Sequence, residues 1–242
     1  MPRKGILNIG TFESQYIIYP KTESIVTIKP GLHTIITLVP DGSIADTQVS
    51  LSVEMDFRNT SKIKGALKQT YTYLFDEFDP TRSDEEGEPL PANSEYTWYA
   101  SELSYESDAR KAFSYSLLGN YGSFYNGTKY SFISNVGYRF RPYGSFFVSA
   151  IYNDVQLPQP YNSSSFWLIG PRVDLTFTNS LFLTTFVQYN EQADNVNINA
   201  RFQWRFAPVS DLFIVYTDNY FPADFNVKNR SIVVKLSYWL NL

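Results

Sequence analysis

The chain has 242 residues, a formal net charge of -4 and an isoelectric point near 5.1, which excludes the basic surface that nucleic-acid binding needs. It holds no cysteine, so disulfides and thiolate metal sites are excluded as well. No apolar run reaches the roughly 18 residues of a transmembrane helix, and a mean hydropathy of -0.25 with 19 Tyr, 19 Phe and 4 Trp points to a polar but aromatic-rich β-protein.

The opening MPRKGILNIGTFESQY is basic, but its apolar stretch is too short and mixed for a signal peptide. An exported protein of this kind is therefore expected to have lost its leader, or to be the C-terminal piece of something longer. Two strands are expected near 5–19 and 24–39, with Pro30-Gly31 interrupting the second; the pattern is weakest over 1–43. From Val49 the alternation is clear. Val49, Leu51, Val53, Met55 and Phe57 share one face, and Ser50, Ser52, Glu54, Asp56 and Arg58 the other. The next strand sets Ile63, Leu67, Tyr71, Tyr73 and Phe75 against Lys62, Lys64, Ala66 and Lys68. A three-residue turn at 59–61 would pair Arg58 with Lys62, Asp56 with Lys64 and Glu54 with Ala66, keeping polar opposite polar.

Further strands are expected near 96–106, 111–121, 145–155, 181–190 and 211–220, and sharper ones elsewhere. Tyr130–Arg141 sets Phe132, Val136, Tyr138 and Phe140 against Arg139 and Arg141. Trp167–Phe177 sets apolar residues against Arg172, Asp174 and Thr176. NVNINARFQWRF, 195–206, separates Val196, Ile198, Ala200, Phe202, Trp204 and Phe206 from Asn195, Asn197, Asn199, Arg201, Gln203 and Arg205. The last strand sets Ile232, Val234, Leu236, Tyr238, Leu240 and Leu242 against Lys235. From residue 58 onward, short polar turns alternate with longer links at 76–95, 121–129, 156–164, 190–195 and 219–230, as in an up-and-down transmembrane barrel.

The expected fold is all-β: an antiparallel up-and-down transmembrane β-barrel, or the C-terminal segment of a larger one, of about 12 strands. It would form a single domain over 1–242, with 76–95 as a long acidic outer loop. The apolar stripe would meet lipid and the charged stripe a wet lumen. Lumen-lining candidates are Glu54, Asp56, Lys64, Lys68, Arg139, Arg172, Asp174, Arg201, Arg205 and Lys235. Tyr71, Tyr73, Phe75, Tyr138, Phe140, Trp204, Phe206 and Tyr238 are candidates for interfacial aromatic girdles. The arginines Arg139, Arg172, Arg201 and Arg205 would bias such a pore towards anions.

No catalytic constellation stands out, so no enzyme, cofactor or metal is expected. His33, the only histidine, is read as structural or solvent-exposed. The acidic run 83–91 lacks the ligand spacing of a calcium loop and is read as a solvated outer loop.

Three stretches, YTYLFDEFDP (71–80), LTTFVQYNEQADNVNINARFQWRFAPVSDLFIVYTDNY (183–220) and RSIVVKLSYW (230–239), resemble the C-terminal part of the domain-of-unknown-function 5916 family. The resemblance runs from about residue 44 to the end. It implies a porin-like barrel protein of the outer membrane of a Gram-negative bacterium, with outer-membrane lipid as a partner. The tail SYWLNL, alternating Tyr238, Leu240 and Leu242, resembles the C-terminal signal of the barrel-assembly machinery, the second partner expected. In that family a carbohydrate-binding family 9-like domain usually comes first, so a glycan is a further implied partner, and the chain would be the final third of such a protein. The function expected is a non-enzymatic scaffold or pore with a polar charged lumen. A soluble all-β ligand-binding module, sandwich or wide barrel, is the alternative, and a glycan hydrolase component the third.

Overall fold

The computed structural model describes residues 8–81 and 87–240, and the side chains of all of these except Asn8 and Ile9. It contains thirteen strands: β1 (Asn8–Gln15), β2 (Ile25–Leu38), β3 (Ile44–Phe57), β4 (Lys62–Leu74), β5 (Ser94–Glu106), β6 (Phe113–Phe124), β7 (Gly127–Phe140), β8 (Gly144–Gln156), β9 (Ser164–Thr178), β10 (Leu181–Asn190), β11 (Asn195–Ala207), β12 (Ser210–Tyr220) and β13 (Val227–Ser237). They follow one another in a single antiparallel up-and-down sheet, in the order of the chain. The strand count among the described residues is 13, within the 12 or 13 that the sequence leaves open. β1 and β13 each have one neighbour, and the sheet is not closed into a barrel. Among the described residues no helix is long and apolar enough to cross a membrane.

The chain groups into two compact units. The first comprises Met1–Asp108, Ser116–Phe132 and Asn153–Ser165; the second comprises Ala109–Tyr115, Ile133–Tyr152 and Phe166–Leu242.

In the first unit β2 runs unbroken through Pro30-Gly31, against the expected interruption. The Pro30 carbonyl accepts from the Tyr16 N–H at 2.9 Å, so the missing proline N–H also faces the β1 side. The β1–β2 ladder stops there, at Gln15↔Gly31, and a further bridge forms at Ile18↔Ile28. The proline removes one rung at the end of an outer ladder, a tolerated place for it.

The β3–β4 turn corrects the expected register. Phe57 N–H donates to Ser61 O at 3.0 Å and Thr60 N–H to Phe57 O at 2.8 Å, so the three loop residues are Arg58, Asn59 and Thr60. Thr60 takes φ +62°, and Asn59 Oδ1 accepts from the Ser61 N–H and hydroxyl at 3.0 and 2.6 Å. This is the three-residue hairpin in which a left-handed residue follows a type I turn. The loop lies one residue earlier than expected. The partners therefore become Asp56↔Lys62, Glu54↔Lys64 and Ser52↔Ala66. Moving a loop by one residue moves each partner by two, so the faces survive and the pairs change.

The regular alternation of short and long links fails at one place. β6 extends to Phe124 and β7 begins at Gly127, leaving only Tyr125 and Asn126 where a long link was expected. Tyr125 takes φ +52° to make this tight reversal, and its ring is held against Trp98 and Phe124, with centroids 4.7 and 4.8 Å away. The link from β4 to β5 is long, but its described parts are not merely solvated. Phe78 and Leu90 exchange backbone hydrogen bonds at 3.1 and 2.9 Å, Glu88 N–H donates to Pro160 O at 3.2 Å, and Leu90 is fully buried. Asp84, Glu85 and Glu86 of the acidic run lie outside the described residues.

Two faces of the sheet and the candidate lumenal site

Alternation along a strand sends neighbouring residues to opposite faces, and in the first unit the two faces have opposite exposure. On β3, Ser50 is 8 % exposed and Leu51 59 %; on β4, Ala66 is 6 % exposed and Leu67 66 %. The polar face is thus the shielded one. The apolar face, carrying Leu51, Val53, Leu67, Tyr99, Leu103 and Tyr121, is open although it lies in the middle of the sheet. Among the described residues of the unit, Leu51, Leu67, Tyr99, Leu103 and Tyr121 stay more than half exposed.

The shielded face builds a groove of about 430 Å³, with Glu13, His33, Ser50, Lys64, Lys68 and Glu102 among its lining residues. Gly31 and Ser52, partners in register, line it, and one wall is the row Glu13, His33, Ser50 and Lys68. The long charged side chains are half-buried and mostly neutralised. Lys29 Nζ reaches Glu54 Oε1 at 3.0 Å and Asp56 Oδ2 at 2.5 Å. Asp56 also accepts from Thr27 Oγ1 at 2.6 Å, with Lys62 Nζ at 3.9 Å from its other oxygen. Lys68 Nζ donates to Glu102 Oε2 at 2.5 Å. Lys64 lines the groove with no ion-pair partner among the described residues. His33 therefore lies on a groove wall, between Glu13 and Ser50 in register.

In the second unit Arg172, Asp174, Arg201, Arg205 and Lys235 share the polar face of β9–β13 and Arg139 lies on β7, and those that pair do so locally. Arg172 donates to both oxygens of Asp174 at 2.9 Å, and Thr184 Oγ1 donates to the same carboxylate at 2.9 Å. Arg205 Nε lies 3.5 Å from Asp211 Oδ1, which also accepts from Gln203 Nε2 at 2.9 Å. Arg139 spends its guanidinium on the backbone carbonyls of Ala109 and Lys111, the latter at 2.7 Å, so it fastens the β5–β6 link rather than presenting a free charge. Arg201 and Lys235 have no ion-pair partner among the described residues. Three of the four arginines read as an anion filter are thus already engaged.

The girdle candidates fall at strand ends. Tyr71 Oη donates to Glu95 at 3.1 Å and Tyr73 Oη to Asn93 at 3.3 Å, and the Tyr73 and Phe75 rings meet edge-on at 4.8 Å. In the second unit Trp204, Phe206 and Tyr238 form a contiguous run, with centroids 5.7 and 6.4 Å apart, and Tyr138 stacks on Phe140 at 6.4 Å. Half-buried tyrosines with hydroxyls tied to neighbouring polar groups, as at Tyr71 and Tyr73, suit a boundary between apolar and wet surroundings.

Sequence reading missed several of these groups. Lys29 was hidden by the supposed break at Pro30. Asp211 lies at the very start of the strand expected near 211–220, where the pattern is weak. Asp218 stands on the apolar face of β12, where it is fully buried. Its Oδ2 accepts from Tyr216 Oη and Tyr220 Oη at 2.5 Å each and from Arg230 Nε at 2.6 Å, and its Oδ1 has no partner among the described residues. The signal was present: Leu212, Ile214, Tyr216, Asp218 and Tyr220 alternate on one face, and a carboxylate in that series needs donors at once.

Among the described residues no group of His, Asp or Glu side chains has the arrangement of a metal site. No family model and no curated protein matches the chain. The resemblance seen in 71–80, 183–220 and 230–239 rests on those stretches alone.

Proposed function

We propose that this chain is an integral outer-membrane protein of a Gram-negative bacterium, an antiparallel β-barrel or a segment of one. It serves as a scaffold or pore, its apolar face in lipid and its polar, charged face lining an aqueous lumen. The observation that carries this reading is the pairing of adjacent residues, Ser50 with Leu51 and Ala66 with Leu67, in which the small polar-face residue is covered and the leucine is bare. In water an apolar face of this extent is a liability that soluble monomers rarely carry; in hydrocarbon it is the favoured surface. The polar face supports the same reading, since most of its charges have hydrogen-bonded partners and flank a groove wide enough for solvent. Lipid and the barrel-assembly machinery are the partners it requires. The role is non-enzymatic, and resemblance to the domain-of-unknown-function 5916 family is consistent with it.

Fractionation tests the proposal. The protein should sediment with membranes, need detergent for extraction and migrate differently on gels before and after heating. Recovery in the soluble fraction without detergent would favour a soluble all-β binding module and refute the membrane reading.

A further inference from the structure

The polar face of the second unit carries a feature that charge pairing does not explain. Gln188 of β10, Asn197 of β11, Asn219 of β12 and Asn229 of β13 are direct partners across four adjacent strands. Three intervals of about 4.8 Å make this an amide strip roughly 14 Å long. No charged side chain stands in that row. Asn197 Nδ2 and Asn195 Nδ2 donate to Asn219 Oδ1 at 2.8 and 3.3 Å, Asn219 Nδ2 donates to Asn229 Oδ1 at 2.6 Å, and Asn199 Nδ2 donates to Thr217 Oγ1 at 2.9 Å.

A purely structural ladder would bond each amide to its neighbours on both sides. Among the described residues the Gln188 side chain makes no hydrogen bond, and Asn197 Oδ1, Asn199 Oδ1 and Asn229 Nδ2 make none. Each primary amide offers two donors and two acceptor sites, so the strip presents both kinds of group without net charge. An aromatic platform lies beside it. Phe186 pairs with Asn199 on the same face, and its ring lies over Gly170, where an added Cβ would meet ring carbons at 3.1 and 3.4 Å. A side chain at 170 would push the ring back by a few tenths of an ångström, and the glycine leaves it in place.

We infer that this strip, with Phe186 beside it, binds a neutral polyhydroxylated ligand, an oligosaccharide in extended form. Hydroxyl groups donate and accept as amides do, and the apolar face of a sugar ring packs on an aromatic ring. An ionic ligand would leave its charge uncompensated on this row. The inference rests on the proposed reading that the polar face lines an aqueous lumen open to solutes.

The test is isothermal titration of the full chain, purified in detergent, with maltohexaose, cellohexaose and xylohexaose, and with trigalacturonate as the charged comparison. At least one neutral oligosaccharide binds, and trigalacturonate binds more weakly. Gln188→Ala lowers affinity about three- to tenfold, as for loss of one hydrogen bond, and leaves the unfolding midpoint unchanged because the Gln188 side chain has no hydrogen-bond partner among the described residues. Phe186→Ala lowers it about tenfold. Absence of binding by all three neutral sugars, preference for trigalacturonate, or binding untouched by both substitutions overturns the inference. Membrane-inserted protein that binds none of these sugars refutes the strip alone. Soluble protein that binds through Gln188 refutes the membrane reading and leaves the strip standing.

Discussion

Replacing Leu67 by lysine separates lipid from water at a single position. Leu67 sits midway along β4, pairs with Leu51 and Ser101, and is 66 % exposed. Fully burying a leucine is worth about 1.5–3 kcal/mol, so placing its bare two-thirds in hydrocarbon contributes roughly 1–2 kcal/mol. A lysine at mid-depth on a lipid-facing strand loses this and adds the cost of carrying charge into the bilayer, for a total of about 2–4 kcal/mol. On a water-exposed surface the same change lies within about 0.5 kcal/mol. The assay is guanidinium unfolding of wild type and Leu67→Lys folded into phospholipid vesicles, followed by tryptophan fluorescence. A loss under about 0.5 kcal/mol, or improved behaviour without lipid, would refute the reasoning.

Other expectations follow from particular contacts. The Lys68 and Glu102 side chains are 24 % and 15 % exposed, so solvent screens them only partly; a double-mutant cycle with Lys68→Met and Glu102→Gln should show coupling of about 1 kcal/mol, and zero coupling would make the pair energetically idle. Val209 holds φ +56° in the turn after Pro208, a conformation that costs a β-branched residue about 1 kcal/mol. Val209→Gly should therefore raise stability by about that much, and a drop would show that the side chain is needed there. Asp41, in the β2–β3 link, accepts from the Ser43 hydroxyl and N–H at 2.6 and 2.8 Å, and these bonds hold its carboxyl below the usual aspartate range. Its contribution to stability is thus present above the unfolded-state value and lost as pH falls through the lowered folded value. Carboxyl NMR titration should place the Asp41 midpoint below that of an unfolded aspartate; a midpoint at or above it would contradict the turn geometry.

How much of this was legible in the sequence depends on which interaction decides each feature. Strand identity and face follow from a period of two, so β3, β4, β9 and β11 could be read directly, as could which side of each holds Glu54, Lys68, Arg172 or Arg201. Loop placement was harder, because Arg58-Asn59-Thr60 and Asn59-Thr60-Ser61 both preserve the faces; only the left-handed Thr60 and the Asn59–Ser61 bonds choose between them. The tight reversal at Tyr125-Asn126 was missed because its stability comes from ring packing on the adjacent Phe124 and on Trp98, which is distant in sequence. Cross-strand partners were least legible. Arg172 finds Asp174 two residues away, Lys29 finds Glu54 across the ladder, and Arg139 takes backbone carbonyls, a choice that composition cannot foretell. The amide strip needed the registers of four strands at once.

The central claim is that adjacent residues on one strand meet different solvents, and a cysteine-free chain lets this be measured residue by residue. Single cysteines at 50, 51, 66 and 67, labelled with an environment-sensitive fluorophore in vesicles, should alternate. Labels at 51 and 67 should be blue-shifted and quenched by brominated lipid, while those at 50 and 66 should be quenched by aqueous iodide. Equal quenching at neighbouring positions, or iodide reaching 51 and 67 while lipid quenchers reach 50 and 66, would contradict the account.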